Sequence, residues 1–251
     1  MSLGEAFGAG GGSDKRDYCA IKAKIYAISN LPQEGIWILE LKPEKPVPYQ
    51  AGQYIDIAFG GLEPRSYSLA EAPSADGILL VHIKRGPGAV SDHLWRTAKV
   101  NDTVRVSAAK GVNVYDPADQ RPILAIAGGA GFTPLKAIID EALRSNPAQP
   151  VWFFWGTKTE EDQYYKPYFE NLQRTHPNFH FVPVVGGNVG DAAAQRFDDL
   201  SDFKIHVCGP PPMVSNTIGA VLAKGARRDS VWYEGKQPEP GALPIPAPGP
   251  S

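Results

Sequence analysis

The stretch Ile123-Leu124-Ala125-Ile126-Ala127-Gly128-Gly129-Ala130-Gly131-Phe132-Thr133-Pro134 decides the fold. Its first five residues are apolar without alternation, as in a strand covered on both faces, and parallel sheets are covered that way. Three glycines and then Pro134 follow, and proline suits the first turn of a helix. A strand that runs directly into a helix is half of a βαβ unit. The glycines also let the backbone come close to a pyrophosphate, which a helix start attracts. The spacing is not the Gly-x-Gly-x-x-Gly of a Rossmann dehydrogenase, and a tight strand-to-helix turn uses glycine for its own sake as well.

Downstream the pattern repeats. Val151–Trp155, His180–Val185 and Lys204–Cys208 are further apolar runs. Helix-like stretches cover residues 134–144, 161–174 and 213–224, so a parallel sheet with helices is expected. Upstream the period changes to two. Residues 20–28 alternate, and short runs follow at 36–41, 53–59, 66–70, 78–84 and 103–107, separated by turn residues. Six short strands at close spacing predict an antiparallel β-barrel, interrupted by one helix at residues 90–97. The predicted organisation is a leader at 1–16, a six-stranded barrel at 17–117, an α/β domain at 118–236 and a disordered proline-rich tail at 237–251.

Composition narrows the function. The chain has 251 residues, a net charge of −2 and 43% hydrophobic residues, which suits a globular protein with two cores. No basic excess points to nucleic acid. No apolar run approaches the roughly 20 residues of a membrane span. Residues 1–13 are glycine-rich without an apolar centre, so they do not read as a secretory signal. The two cysteines, Cys19 and Cys208, cannot supply the four thiolates of an iron–sulfur cluster. A reducing cytoplasm is the expected compartment, and no metal site is expected.

Four further segments carry chemistry. Arg65-Ser66-Tyr67-Ser68 opens a strand and combines a cation, an aromatic face and hydroxyls. Those are the contacts a flavin needs for its phosphate, its ring and its N5 edge. His82-Ile83-Lys84 ends a strand, and the turn after it leads through Gly88-Ala89-Val90-Ser91 into a helix. Backbone N–H groups at such a start attract phosphate, while Ser91 reads equally as a helix cap. Cys208-Gly209-Pro210-Pro211-Pro212-Met213 ends another buried strand. Ligands of open α/β sheets bind beyond the carboxyl ends of strands, so Cys208 is expected at the same crevice as Gly128–Gly131, although a buried structural thiol is also common. Lys158, Glu161 and Asp162 follow the second parallel strand, where a ribose is read; acidic residues there suit a free 2′-hydroxyl.

In this order, with Tyr49-Gln50-Ala51-Gly52-Gln53-Tyr54 before them, these segments resemble the ferredoxin–NADP reductase superfamily. The likeness is to the flavin- and nicotinamide-binding portion of bacterial oxygenase reductase components, and it covers about residues 18–236. The resemblance implies an NAD(P)H-dependent flavoprotein that passes electrons to a separate acceptor, a ferredoxin or an oxygenase component. It implies FAD rather than FMN, and the acidic residues favour NADH over NADPH.

Residue by residue, the resemblance implies that Tyr67 stacks on the flavin ring, Arg65 pairs with its phosphate and Ser68 approaches N5. Ser66, His82, Ile83, Lys84 and Gly88–Ser91 are expected beside the flavin and its pyrophosphate. Gly129, Gly131, Thr133, Gly209 and Pro210 are expected along the nicotinamide dinucleotide. Ser68, Cys208 and Glu234 are the expected catalytic group. A flavin reductase that uses flavin as substrate, or the reductase portion of a longer iron–sulfur flavoprotein, are the alternatives. Residues 109–115 depart from the glycine-proline-x-glycine turn that relatives often carry there.

Overall fold

The computed structural model describes residues 19–31 and 35–234. The leader and tail expected at 1–16 and 237–251 lie outside the described residues. The first sheet has β1 (Ile21–Leu31), β2 (Ile36–Pro43), β3 (Tyr54–Phe59), β4 (Arg65–Ser68), β5 (Leu79–Lys84) and β6 (Thr103–Val106). Their order is β4-β3-β6-β1-β2-β5, every pair antiparallel. Leu69 bridges to Val81, and the Ala70 N–H donates to the Leu80 carbonyl at 2.8 Å, so the two outer strands nearly close the barrel. Period-two patterning fixes the inside: Ala23 and Ile25 are buried while Lys22, Lys24 and Tyr26 face out. The single barrel helix, α1 (Ala89–Arg96), seats Leu94 in the barrel core.

The second sheet is entirely parallel, in the order β11-β10-β7-β8-β9. Its strands are β7 (Ile123–Gly128), β8 (Val151–Thr157), β9 (Phe179–Val185), β10 (Lys204–Cys208) and β11 (Val231–Glu234). Between them run α2 (Phe132–Ser145), α3 (Lys166–Thr175), α4 (Val189–Gln195) and α5 (Pro211–Ala223). From β7 the chain winds outward through β8 to β9, then returns to the far side of β7 for β10. Strand order therefore reverses between β7 and β10, and a crevice opens beyond the carboxyl ends of strands at such a point.

Three details differ from the sequence reading. The third helix starts at Lys166, not near Glu161, because residues 160–163 form a turn in which the Gln163 N–H reaches the Glu160 carbonyl at 2.9 Å. Pro167 then sits in the first helical turn. Helix α4 was not expected; it is short, and Asn188 Oδ1 caps it by accepting from Gly190 N and Asp191 N. The fifth strand, β11, was also missed, because four residues at a sheet edge carry too little pattern.

The two domains share an interior. Ala51 of the barrel and Tyr115 of the connecting segment lie in the same buried cluster as Ile138 and Leu135 of α2. Gly52, at φ 106°, lets the barrel turn touch the connector: a Cβ there would fall inside the Asn113 carbonyl and 2.9 Å from Ile138 Cδ1.

Two histidines are buried in this frame. Burial holds both His82 and His206 down at about 3, so both are neutral in the folded protein. An unfolded histidine takes up a proton below about 6.5. Their contribution is therefore whole above pH 6.5 and is lost as pH falls toward 3. Stability is expected to fall from pH 7 to pH 5 by up to about 1.4 kcal/mol per pH unit per histidine. Urea midpoints at the two pH values check this, and equal midpoints would contradict it.

Candidate functional site

The crevice at the reversal point is built from two strand-end turns packed on each other. After β7, Gly129–Gly131 make one 3-10 turn that leads into α2. After β10, Cys208 and Gly209 pass directly beneath it. A Cβ on Gly131 would lie 2.5 Å from the Cys208 carbonyl carbon and 2.8 Å from Gly209 N. A Cβ on Gly209 would lie 3.1 Å from Gly128 Cα. Gly131 is thus required by the contact between the turns themselves, and Gly128 and Gly209 pack tightly in the same contact. Gly129 differs: its φ is 54° and the space where a Cβ would stand is open. Trp155 Nε1 donates to the Gly129 carbonyl at 2.8 Å and holds the turn from behind.

Thr133 is buried, and its hydroxyl donates back to the Ala130 carbonyl at 2.8 Å. It fastens the turn, a job that its place in the motif did not reveal. No side chain caps the start of α2, and Gly131 is its N-cap. The Phe132 N–H donates to the Gly129 and Ala130 carbonyls of the turn and Pro134 carries no N–H, so an anion would be met by the open Gly129 side of the turn and the dipole of α2.

Cys208 ends β10, and the register of the parallel pair sets it beside Glu234. Two of the three expected catalytic residues are therefore neighbours on the sheet, and Pro210 lies exposed just beyond them. Ser68, the third, belongs to the barrel, where it pairs with Tyr54 on the edge strand β4.

On β4, Arg65 and Ser66 are exposed, and Tyr67 and Ser68 are half-buried. The Tyr67 ring meets Phe59 edge-on at 6.4 Å, and burial pushes its hydroxyl up to about 12, so it stays protonated. Ser66 Oγ donates to Asp56 Oδ1 at 2.6 Å and Lys110 holds Oδ2 of the same carboxylate, so Ser66 is tied into the barrel. Beyond β5, Gly88 is the N-cap of α1 at φ 113°, again with no side-chain cap, and Ala89 is exposed. Ser91 is not the cap; its Oγ accepts from Gly86 N at 3.3 Å and tightens the turn. Ile83 and Val90 face the barrel core.

The barrel reaches the crevice through β5. His82 Nδ1 lies 3.0 Å from the Tyr164 hydroxyl, and its ring packs on Phe132 and Tyr165. Lys84 Nζ meets Asp162 Oδ1 at 2.9 Å across the gap. Ile36, Lys84, Gly129, Ala130, Asp162 and Tyr164 line the space between the domains. The sequence reading missed Tyr164 and did not foresee that Asp162 pairs with Lys84. Partners so far apart in sequence carry no local signal.

The family described as oxidoreductase NAD-binding domain matches residues 125–218, which run from β7 into α5. The reductase component 1 of terephthalate 1,2-dioxygenase from Comamonas sp. is 29% identical over 216 residues, which are 81% of this chain and 64% of that protein. The chain thus spans about two thirds of that relative's length. The NAD(P)H-flavin reductase of Vibrio harveyi is 29% identical over 75% of this chain and 86% of its own length. Among solved structures, the Amycolatopsis cytochrome P450 reductase GcoB superposes with a TM-score of 0.78 at 26% identity, over 85% of this chain and 68% of its own. The ferredoxin reductase in carbazole 1,9a-dioxygenase gives 0.74 at 25% identity, over the same shares.

A nearly closed antiparallel barrel joined to a parallel sheet, with both facing one crevice, is the two-domain fold of the ferredoxin reductase on which the chain superposes. Residues 125–218 match the oxidoreductase NAD-binding family, and over most of its length the chain is similar to reductase components of oxygenase systems and to ferredoxin reductases.

Proposed function

We propose that the chain takes reducing equivalents from NADH through an FAD held on the barrel, and passes electrons to a separate acceptor, a ferredoxin or an oxygenase component. One observation carries this reading. Two glycine turns that open helices, at Gly88 and at Gly129–Gly131, stand on the two domains that line one crevice. Each suits a phosphate group, and together they suit a flavin nucleotide on one side and a nicotinamide dinucleotide on the other.

FAD when bound would supply the chemistry: it would accept one hydride, which carries two electrons, and release those electrons one at a time. The residues supply position. Tyr67 offers its ring to the flavin, Arg65 a cation to its phosphate, and Ser68 a hydroxyl near N5. Lys84 and Gly88–Ser91 hold the pyrophosphate side. Gly129 opens the floor of the dinucleotide site, and Cys208 with Glu234 borders the nicotinamide end. Proximity of the two rings is the main gain. NADH is favoured because the turn after β8 holds Glu160, Glu161 and Asp162 against the single Lys158, a poor setting for a 2′-phosphate. Among the described residues no helix is long and apolar enough to cross a membrane. We place the chain in the cytoplasm, where NADH is available.

Two of the relatives favour second readings. The match to 86% of the Vibrio harveyi flavin reductase suits a chain that uses flavin as a substrate. The 64% share of the terephthalate 1,2-dioxygenase reductase suits one portion of a longer electron-transfer protein. Anaerobic mixing of the FAD-loaded chain with NADH or NADPH is the main test. Bleaching of the flavin absorbance by NADH is expected, and no bleaching by either nucleotide overturns the reading. Flavin that stays with the protein through gel filtration favours the bound-cofactor form, and flavin that separates favours the substrate form.

A further inference from the structure

Lys136 lies in the second turn of α2, yet its side chain is only 3% exposed. A buried ammonium is costly unless several groups compensate it. Asp140, one turn on, supplies an oxygen at 2.8 Å, and that carboxylate also accepts from the Tyr168 hydroxyl at 2.7 Å. The Tyr168 ring centre lies 4.7 Å from the ammonium. A pair four residues apart forms equally well on an exposed helix face, so Asp140 alone gives no reason for burial.

The remaining partners do. Lys136 Nζ donates to the Ala70 carbonyl at 3.3 Å and stands 3.7 Å from Glu71 Oε1. Both belong to the barrel, just past Ser68 at the end of β4. The Ala70 N–H is already fixed to Leu80 of β5. Ala70 is therefore held by the barrel through its N–H and by α2 through its carbonyl. Helix α2 grows directly from the glycine turn, five residues before Lys136. A rigid helix thus connects the floor of the dinucleotide site to the strand that presents Tyr67 and Ser68. The charge also helps keep neighbouring His82 neutral.

We propose that Lys136 is an interdomain positioning residue. By pinning the Ala70 carbonyl to α2 it sets the distance between the flavin side of the crevice and the nicotinamide side. The proposal deepens the function proposed above and rests on it.

The test uses the full chain loaded with FAD, as wild type, Lys136→Met and Lys136→Arg. Methionine keeps the length and removes the charge and its donors, while arginine keeps both. Anaerobic single-turnover bleaching over a range of NADH concentrations separates the limiting rate from NADH affinity. Amide exchange at residues 69–72, without nucleotide, reads the pin independently of activity. K136M is expected to keep its flavin and bind NADH within about threefold of wild type. Its limiting rate should fall about tenfold or more, and exchange at residues 69–72 should quicken by a similar factor. K136R is expected to restore both to within about threefold. Wild-type rate and exchange in K136M overturn the proposal, as does a K136R no better than K136M. If K136M does not fold, the K136R comparison and Glu71→Gln, with faster exchange at 69–72 expected, decide it. Should NADH and NADPH both fail to bleach the wild type, the proposed function falls, and the exchange measurement alone judges the pin.

Discussion

Replacing Gly131 with alanine is expected to lower the unfolding free energy by about 3 kcal/mol, near the upper end for inserting atoms into a packed site. The added Cβ would overlap the Cys208 carbonyl and stand 2.8 Å from Gly209 N. Those are backbone atoms of an interior strand end, so no side-chain rotation relieves the overlap. The two turns must part, and the crevice widens with them. Gly129→Ala is the control. Its Cβ would meet nothing within 4 Å, and its cost is the left-handed backbone alone, about 1–2 kcal/mol. Urea denaturation of the two variants beside wild type gives the comparison. If G131A is as stable as G129A, the turn-on-turn contact does not constrain the fold.

Removing the guanidinium of Arg65 should produce the second large effect, on ligand rather than on fold. Arg65 is exposed on an edge strand, so Arg65→Ala is expected to change stability by no more than about 0.5 kcal/mol. A charge-assisted bond to a flavin phosphate is worth about 2–3 kcal/mol, so FAD affinity should fall roughly 30- to 150-fold. Fluorescence titration of the apoprotein with FAD measures the loss, and thermal unfolding measures the stability. An affinity within threefold of wild type would remove Arg65 from the phosphate site. Loss of stability and affinity together would mean that the residue supports the strand instead.

How much of this was legible in the sequence depends on the range of each signal. The run Ile123–Ala127 could be read because burial on both faces leaves no polar residue in it. The barrel could be read because strands such as β1 and β6 alternate a buried with a wet residue. Helix α4 left a trace, the cap Asn188, but Val189-Gly190-Asp191-Ala192-Ala193-Ala194 has too few large residues to mark an apolar stripe. Strand β11 left none, since four residues at a sheet edge are too short a run to show a period.

Within the site, the motifs marked where the turns lie more clearly than what each residue holds. Gly131 and Thr133 read as ligand contacts, whereas the structure gives one to the neighbouring turn and the other to its own loop. Glu161 and Asp162 read as the start of a helix, whereas Asp162 closes an ion pair with a lysine 78 residues earlier in the chain. Lys136 reads as an ordinary polar residue in an amphipathic helix. Only the approach of another domain, which no local pattern encodes, makes it a buried cation.

The shared interior has a consequence for how such chains can be recombined. Ala51, Gly52 and the connector through Asn113 and Tyr115 are shaped against one particular helix, α2. A barrel transplanted onto a foreign nucleotide domain would bring a surface moulded to Ile138 and Leu135 and meet different side chains. The unit that can be exchanged between proteins is therefore not either domain but the matched pair, and the cut points for chimaeras lie before β1 and after β11.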